Sequence, residues 1–125
     1  MTWIYNQTSG ELSINGLFQA IGYSGTGEGR NNGDMQAFPN VGPIPVGKYT
    51  IGPSYDDPHL GPCVMHLDPT PDTNTFGRSE FRIHGNNAQN DASHGCVIFG
   101  HDTRQVISDS GDTDFSVITT ESENV

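Results

Sequence analysis

The sequence predicts a single, mainly β domain with one short helix, and three observations lead there. Short runs rich in aromatic and β-branched residues recur between turn residues, with the dipeptide Asn15-Gly16 between two of them. The stretch Glu80-Phe81-Arg82-Ile83-His84 alternates polar and apolar residues with the period of a half-buried strand. A chain of 125 residues with 16 Gly and 8 Pro leaves room for one domain, and its 32% apolar residues suffice for a core without metal or disulfide help.

The elements follow in order. Trp3 to Tyr5 reads as a strand, Asn6 to Gly10 as a turn, Glu11 to Ile14 as a second strand, and Leu17 to Tyr23 as a third. Asn15-Gly16 joins the last two because both central residues of a tight hairpin turn need positive φ. Ser24 to Gly33 holds four Gly together with Glu28 and Arg30, which is too polar for a core strand and suits a surface loop lining a cleft. Pro43 and Pro45 lead through Gly47 into a short strand, Lys48 to Ile51. Cys63 to Leu67 is the next strand, closed by a turn from Asp68 to Asn74. In Glu80 to His84, Phe81 and Ile83 share one face while Arg82 and His84 share the other. Val97 to Phe99 is again a strand. Asp102 is expected to cap a helix running through Ser108, with Val106 and Ile107 as its buried edge. Asp114 to Thr119 is the last strand, so that residues 1–120 form the domain and 121–125 an acidic, frayed tail.

Fifteen Asp and Glu against five Lys and Arg give a net charge of −10, which repels nucleic acid and anionic lipid. No stretch approaches the roughly 18 consecutive apolar residues of a membrane span, and Met1 to Gly10 lacks the basic-then-apolar pattern of an export leader. The chain is therefore expected to be made in the cytoplasm without a signal peptide, to have no nucleic-acid or membrane partner, and to be a monomer. Two cysteines are too few for a disulfide scaffold; Cys63 reads as an inert core residue, and a bridge between Cys63 and Cys96 stays open.

The chemistry-bearing residues cluster at 84–96. A polar loop, Gly85 to Gly95, separates two strands and lets them lie side by side, bringing His84 toward Cys96. A thiolate attacks carbonyls, and its pKa of roughly 8.5 must be lowered by an imidazole or by backbone donors before it does so well at neutral pH. Cys96 is the candidate nucleophile and His84 the general base, with one ring nitrogen oriented by a carbonyl such as that of Gly85. Gly95 permits a tight bend that would aim the Gly95 and Cys96 N–H groups at a developing oxyanion.

The words Ile83-His84-Gly85 and Ser93-His94-Gly95-Cys96-Val97 resemble the signature of the L,D-transpeptidase (YkuD-type) catalytic domain, as does Pro45-Val46-Gly47-Lys48-Tyr49-Thr50-Ile51 upstream. A narrower resemblance is to the type VI secretion L,D-transpeptidase effectors, carried by Gly22–Asn32, Asn40–Pro45, Phe76–Ser79 and Ala92–Val97. Ile98 and Phe99 stand where many YkuD-type domains place Arg or Asn, which suits the effector branch. The resemblance implies a β-sandwich with one short helix after Cys96, and an antibacterial toxin secreted into the periplasm of a rival cell. Cys96 would be acylated by a peptidoglycan tetrapeptide stem with loss of its terminal D-Ala; water then gives L,D-carboxypeptidase action and a D-amino acid gives exchange. It also implies a cognate immunity protein and the type VI secretion machinery as partners, and no cofactor.

Other readings of single residues stay beside these. His94 and Ser93 are expected to support the loop by hydrogen bonds rather than to react. Arg82, Arg78 and Arg30 are candidate carboxylate contacts, each alternatively paired with an acid; for Arg82 the two readings balance, and for Arg78 and Arg30 the structural one is favoured. Trp3, Tyr23 and Tyr49 read as core or rim, and His59 and His66 as ordinary histidines. Three alternative functions remain: a housekeeping or phage peptidoglycan L,D-transpeptidase, a zinc peptidase using His84, Asp91, His94, His101 and Cys96, and a non-enzymatic acidic binding module.

Overall fold

The computed structural model describes residues 1–120; the expected tail at 121–125 lies outside them. Ten strands and one helix are arranged as β1 (Thr2–Asn6), β2 (Glu11–Ile14), β3 (Leu17–Ile21), β4 (Tyr23–Ser24), β5 (Gly47–Ile51), β6 (Tyr55–Asp57), β7 (Gly61–Pro69), β8 (Arg82–His84), β9 (Val97–Ile98), α1 (His101–Ser110) and β10 (Asp114–Ile118). The strands pair in the order β3-β2-β1-β10-β5-β7-β8-β9-β4, with β6 alongside β7. This long sheet folds over on itself into a sandwich. Tyr5 of β1 meets Phe99, just past β9, edge to face at 5.8 Å, and Tyr49 of β5 meets Phe81 in the same way at 5.8 Å. The core between the layers also holds Trp3, Leu12, Ile44, Met65, Leu67, Ile83, Ile107 and Phe115, each worth roughly 1.5–3 kcal/mol on full burial.

The expected mainly β fold with one helix after Cys96 is present, and the local signals explain most of its elements. Asn15 and Gly16 both adopt positive φ, 55° and 73°, and join β2 to β3. The third strand is not continuous. At Gly22 it passes from one sheet layer to the other, where a β-carbon would stand 2.1 Å from the Ile98 carbonyl oxygen and 2.7 Å from the Phe99 ring. The strand before His84 starts only at Arg82, because Glu80 takes φ +68°. The polar segment after Ser24 forms two short 3-10 turns, Gly27–Gly29 and Gly33–Met35, and β6 has no clear sequence signal.

The helix starts earlier and runs longer than expected. Gly100 occupies its N-cap, Asp102 lies in its first turn, and Gly111 closes it in the left-handed conformation at φ 73°. Its buried stripe is Arg104 and Ile107, three residues apart, whereas Val106 is 51% exposed. No helix among the described residues is long and apolar enough to cross a membrane.

The site is positioned by one feature of the topology: β8 and β9 are parallel, with Ile83 opposite Val97 and His84 opposite Ile98. Parallel strands cannot be joined by a tight hairpin. The segment 85–96 must therefore cross back along the sheet, and it delivers Cys96 to the start of β9, one position before the Ile83–Val97 pair and level with Arg82.

Candidate active site

Side chains alternate faces along a strand, so Arg82, His84 and Cys96 share the face opposite to Ile83 and Val97. His84 and Cys96 are diagonal neighbours on adjacent strands. His84 is buried, and its Nδ1 lies 2.9 Å from the Gly85 carbonyl oxygen. A carbonyl only accepts, so Nδ1 carries the proton and Nε2 presents its lone pair. A β-carbon on Gly85 would lie 2.8 Å from Nη1 of Arg104, so the guanidinium would have to shift to admit one.

Ser93 is the clasp of the loop. Fully buried, its hydroxyl accepts from the Gly25 N–H at 2.8 Å and the Gly95 N–H at 3.1 Å, and donates to the Cys96 carbonyl at 2.6 Å. Gly95 has φ +126°, and a β-carbon on it would fall 2.4 Å from Nη2 of Arg78. The expectation that the Gly95 N–H points at an oxyanion is corrected by this geometry, because Ser93 takes that donor. The Cys96 N–H, in contrast, has no hydrogen-bond partner among the described residues. His94 is exposed and makes no hydrogen bond among the described residues, so of the two residues expected to hold the loop only Ser93 does so. The outer part of the loop is pinned by Tyr23, whose hydroxyl donates to Asn86 at 2.6 Å and accepts from the Ala92 N–H at 2.9 Å.

The electrostatics differ from the expected thiol–imidazole pair. Burial pushes the Cys96 thiol above its ordinary pKa, opposed by the Arg82 N–H and by the charges of Arg82 and Arg78. Its S–H points to the Glu80 carbonyl, 3.6 Å away. Burial also holds His84 below its usual pKa, with the Gly85 carbonyl working against that and the charges of Arg104 and Arg82 reinforcing it. No hydrogen bond links His84 to Cys96 among the described residues. The resting site is thus a neutral thiol beside a neutral imidazole whose free nitrogen is a base, and the cations nearest the sulfur are arginines.

The three candidate arginines part company. Arg78 is 9% exposed and donates to the carbonyls of Gln36, Gly42 and Pro43, strapping the 36–43 loop beneath Gly95. Arg30 stacks 3.7 Å over the Tyr23 ring and donates to the Asn90 carbonyl. Both are structural, though through carbonyls and rings rather than through acids. Arg82 pairs with Glu80 at 2.8 Å and keeps one buried donor, Nε, without a partner.

Arg104 was not singled out by sequence reasoning. It is buried and donates to the carbonyls of Pro62, Cys63 and Phe99, locking α1 to β7 and to the end of β9 directly under Gly85. A signal existed: it is the one cation in an acidic C-terminal segment, spaced three residues from Ile107 on the helix's buried stripe.

Trp3, Tyr23 and Tyr49 are all buried, His59 is exposed, and His66 stacks on Tyr55 at 5.1 Å. Both cysteines are free. Cys63 belongs to the inner core while Cys96 lies on the opposite sheet face, two strands away, a placement that a disulfide does not span. The zinc-type set is not gathered. Asp91 bonds to Asn87, and no group of three or more metal-ligating His, Cys, Asp or Glu side chains converges among the described residues.

A β-sandwich that offers a cysteine at the head of one strand, a histidine at the end of its parallel neighbour, and the two His-Gly words between them is an L,D-transpeptidase-like domain. The pattern of the Tlde1 domain matches residues 19–120, and the chain belongs to that family, the type VI secretion L,D-transpeptidase effector family. The fold is also similar to that of the helical cell shape determining protein Pgp2 from Campylobacter jejuni, with a TM-score of 0.56 and 18% identity over 99% of this chain and 48% of that one. A point mutant of Pgp2 gives a TM-score of 0.55 at the same identity and coverage. The chain therefore spans about half the length of Pgp2. No curated protein matches it by sequence.

Proposed function

We propose that the protein is a cysteine L,D-carboxypeptidase and L,D-transpeptidase that attacks peptidoglycan tetrapeptide stems in the periplasm of a competing bacterium. The observation that carries this reading is the His84 tautomer: Nδ1–H is committed to the Gly85 carbonyl, leaving Nε2 as the acceptor on the face that Cys96 shares. When substrate enters, Nε2 takes the Sγ proton as the sulfur attacks the carbonyl that links the diamino acid to the terminal D-Ala. The Cys96 N–H is the loop's available donor to the oxyanion. The imidazolium then protonates the departing amine, and a thioester remains on Cys96. Water, or the amine of a free D-amino acid, gives its proton to His84 and its lone pair to the thioester, which returns the thiol.

A neutral starting pair suits this sequence, because the proton moves only as the carbon–sulfur bond forms. Family membership supports delivery by the type VI secretion machinery and a cognate immunity protein that protects the producer. The test is incubation of the protein and its Cys96→Ala variant with disaccharide tetrapeptide, with and without a free D-amino acid, read by mass spectrometry. Loss or replacement of the terminal D-Ala by the native protein alone is the expected result. An unaltered muropeptide under reducing conditions overturns the assignment.

A further inference from the structure

We propose that Arg82, with Tyr55 and His66, forms a carboxylate-reading subsite beside Cys96 that is occupied by Glu80 in the free protein. It selects peptides whose leaving residue ends in a free carboxylate. The inference rests on the reading of Cys96 as a nucleophile toward a peptide end and adds to it the charge state of the leaving group.

Four observations carry it. First, the placement is set by sheet register: His66 lies opposite Arg82 across β7 and β8, and Arg82 is level with Cys96, so the three form one row on one face. Tyr55 stacks on His66, with rings 14° from parallel, and its hydroxyl approaches the Arg82 guanidinium. Second, Arg82 has spare capacity. Arg78 and Arg104 spend their donors on backbone carbonyls, whereas the buried Nε of Arg82 has no partner. A buried donor without an acceptor costs about 1–3 kcal/mol, and a ligand that supplied one would recover it.

Third, the present occupant is displaceable. The Glu80 side chain is 73% exposed while its carboxylate sits 2.8 Å from Nη2, and ion pairs of such exposure contribute little to stability. A carboxylate able to meet both Nη2 and Nε would bind the planar fork in the paired geometry that Glu80 leaves half used. Fourth, a groove of about 380 Å³ lined by His66, Asp68, Arg78, Glu80 and Phe81 adjoins the row at His66 and at the displaceable Glu80. In a chain of net charge −10, an arginine level with the nucleophile has a clear use. An enzyme that removes one terminal residue must recognise the chain end, and the charge that distinguishes an end from an interior peptide bond is its carboxylate.

The test separates binding from turnover. In a Cys96→Ala background, calorimetry measures the affinity for a tetrapeptide stem with a free terminal carboxylate, for the same peptide as its terminal amide, and for one amidated only at the interior diamino acid. The free acid is expected to bind about 10- to 100-fold more tightly than the terminal amide. Arg82→Gln should bring that ratio close to 1, Arg82→Lys should give an intermediate value, and Glu80→Gln should tighten binding of the acid several-fold. Equal affinities for acid and terminal amide overturn the inference. So does a loss confined to the interior amide, which would move the contact away from the leaving residue. Matching thermal unfolding of the Arg82→Lys variant separates a recognition defect from misfolding. Failure of the native protein to process any of these peptides overturns the proposed activity instead, and calorimetry reads the subsite independently of it.

Discussion

Removing the Ser93 hydroxyl tests the architecture of the site most directly. One buried oxygen satisfies two N–H donors, from Gly25 and Gly95, and gives its own proton to the Cys96 carbonyl. Ser93→Ala leaves those three backbone groups without partners in a place closed to solvent. Each unsatisfied buried group costs about 1–3 kcal/mol, and neighbouring losses relax together, so about 2–4 kcal/mol in all is expected. With an unfolding entropy of about 2.1 cal/mol/K per residue, a 125-residue chain loses about 4 °C of Tm for each kcal/mol. Ser93→Ala should therefore melt about 8–15 °C lower. Circular dichroism melting curves, with denaturant titration to confirm an unchanged m value, provide the measurement. His94→Ala is the control: the side chain is exposed and unbonded among the described residues, and should move Tm by no more than about 2 °C. Turnover should fall further in Ser93→Ala than its folded fraction does, because the clasp also sets the backbone that bears Cys96. A Ser93→Ala protein that melts within 2 °C of the native one and turns over normally would refute the clasp.

Other expectations follow from the same geometry. Arg104→Met, which keeps the length but abandons three buried carbonyls, should destabilise by about 3–5 kcal/mol, readable by denaturant titration. Gly22→Ala should cost about 2 kcal/mol or more, since its methyl meets the Ile98 carbonyl and the Phe99 ring. For His84, whose folded pKa is depressed, the unfolded chain binds the proton more readily. The stability this contributes is fully present above the unfolded value near 6.5 and is lost as pH falls below it, a slope that His84→Gln should flatten. Cys96 has the opposite sign: its raised pKa contributes stability at lower pH that fades as pH climbs past the ordinary thiol range. Alkylation of Cys96 in a Cys63→Ala background should accordingly accelerate with pH to beyond 9 without a plateau near neutrality. A plateau at pH 6–7 would mean a preformed thiolate–imidazolium pair.

Much of the fold is legible along the chain because its determinants are local. A period of two marks Glu11–Ile14 and Arg82–His84, and the positive φ demanded by a tight turn explains Asn15-Gly16. The same locality makes the candidate pair legible: His84-Gly85 and Ser93 to Cys96 are contiguous words, and their spacing across a polar loop already implies adjacent strands. Where local reading goes astray, a distant contact intervenes. Glu80 looks like part of an alternating strand, yet its carbonyl turns toward the Cys96 sulfur and its φ is positive. Leu17 to Tyr23 looks continuous, yet the far layer presses on Gly22.

The sequence by itself thus determined the mainly β class, the hairpin, the helix after Cys96 and the residues that can react. Only the tertiary structure decided that β8 and β9 run parallel, that Arg104 lies under Gly85 and Arg78 under Gly95, and that Ser93 takes the Gly95 amide. It also decided the direction in which the two pKa values of the pair are displaced. The physical reason is that period and turn chemistry act between near neighbours in the chain, whereas desolvation and hydrogen-bond ownership are set by whatever the fold brings alongside. Both the raised pKa of the Cys96 thiol and the lowered pKa of His84 are consequences of burial, a property that no stretch of the chain possesses before it is packed.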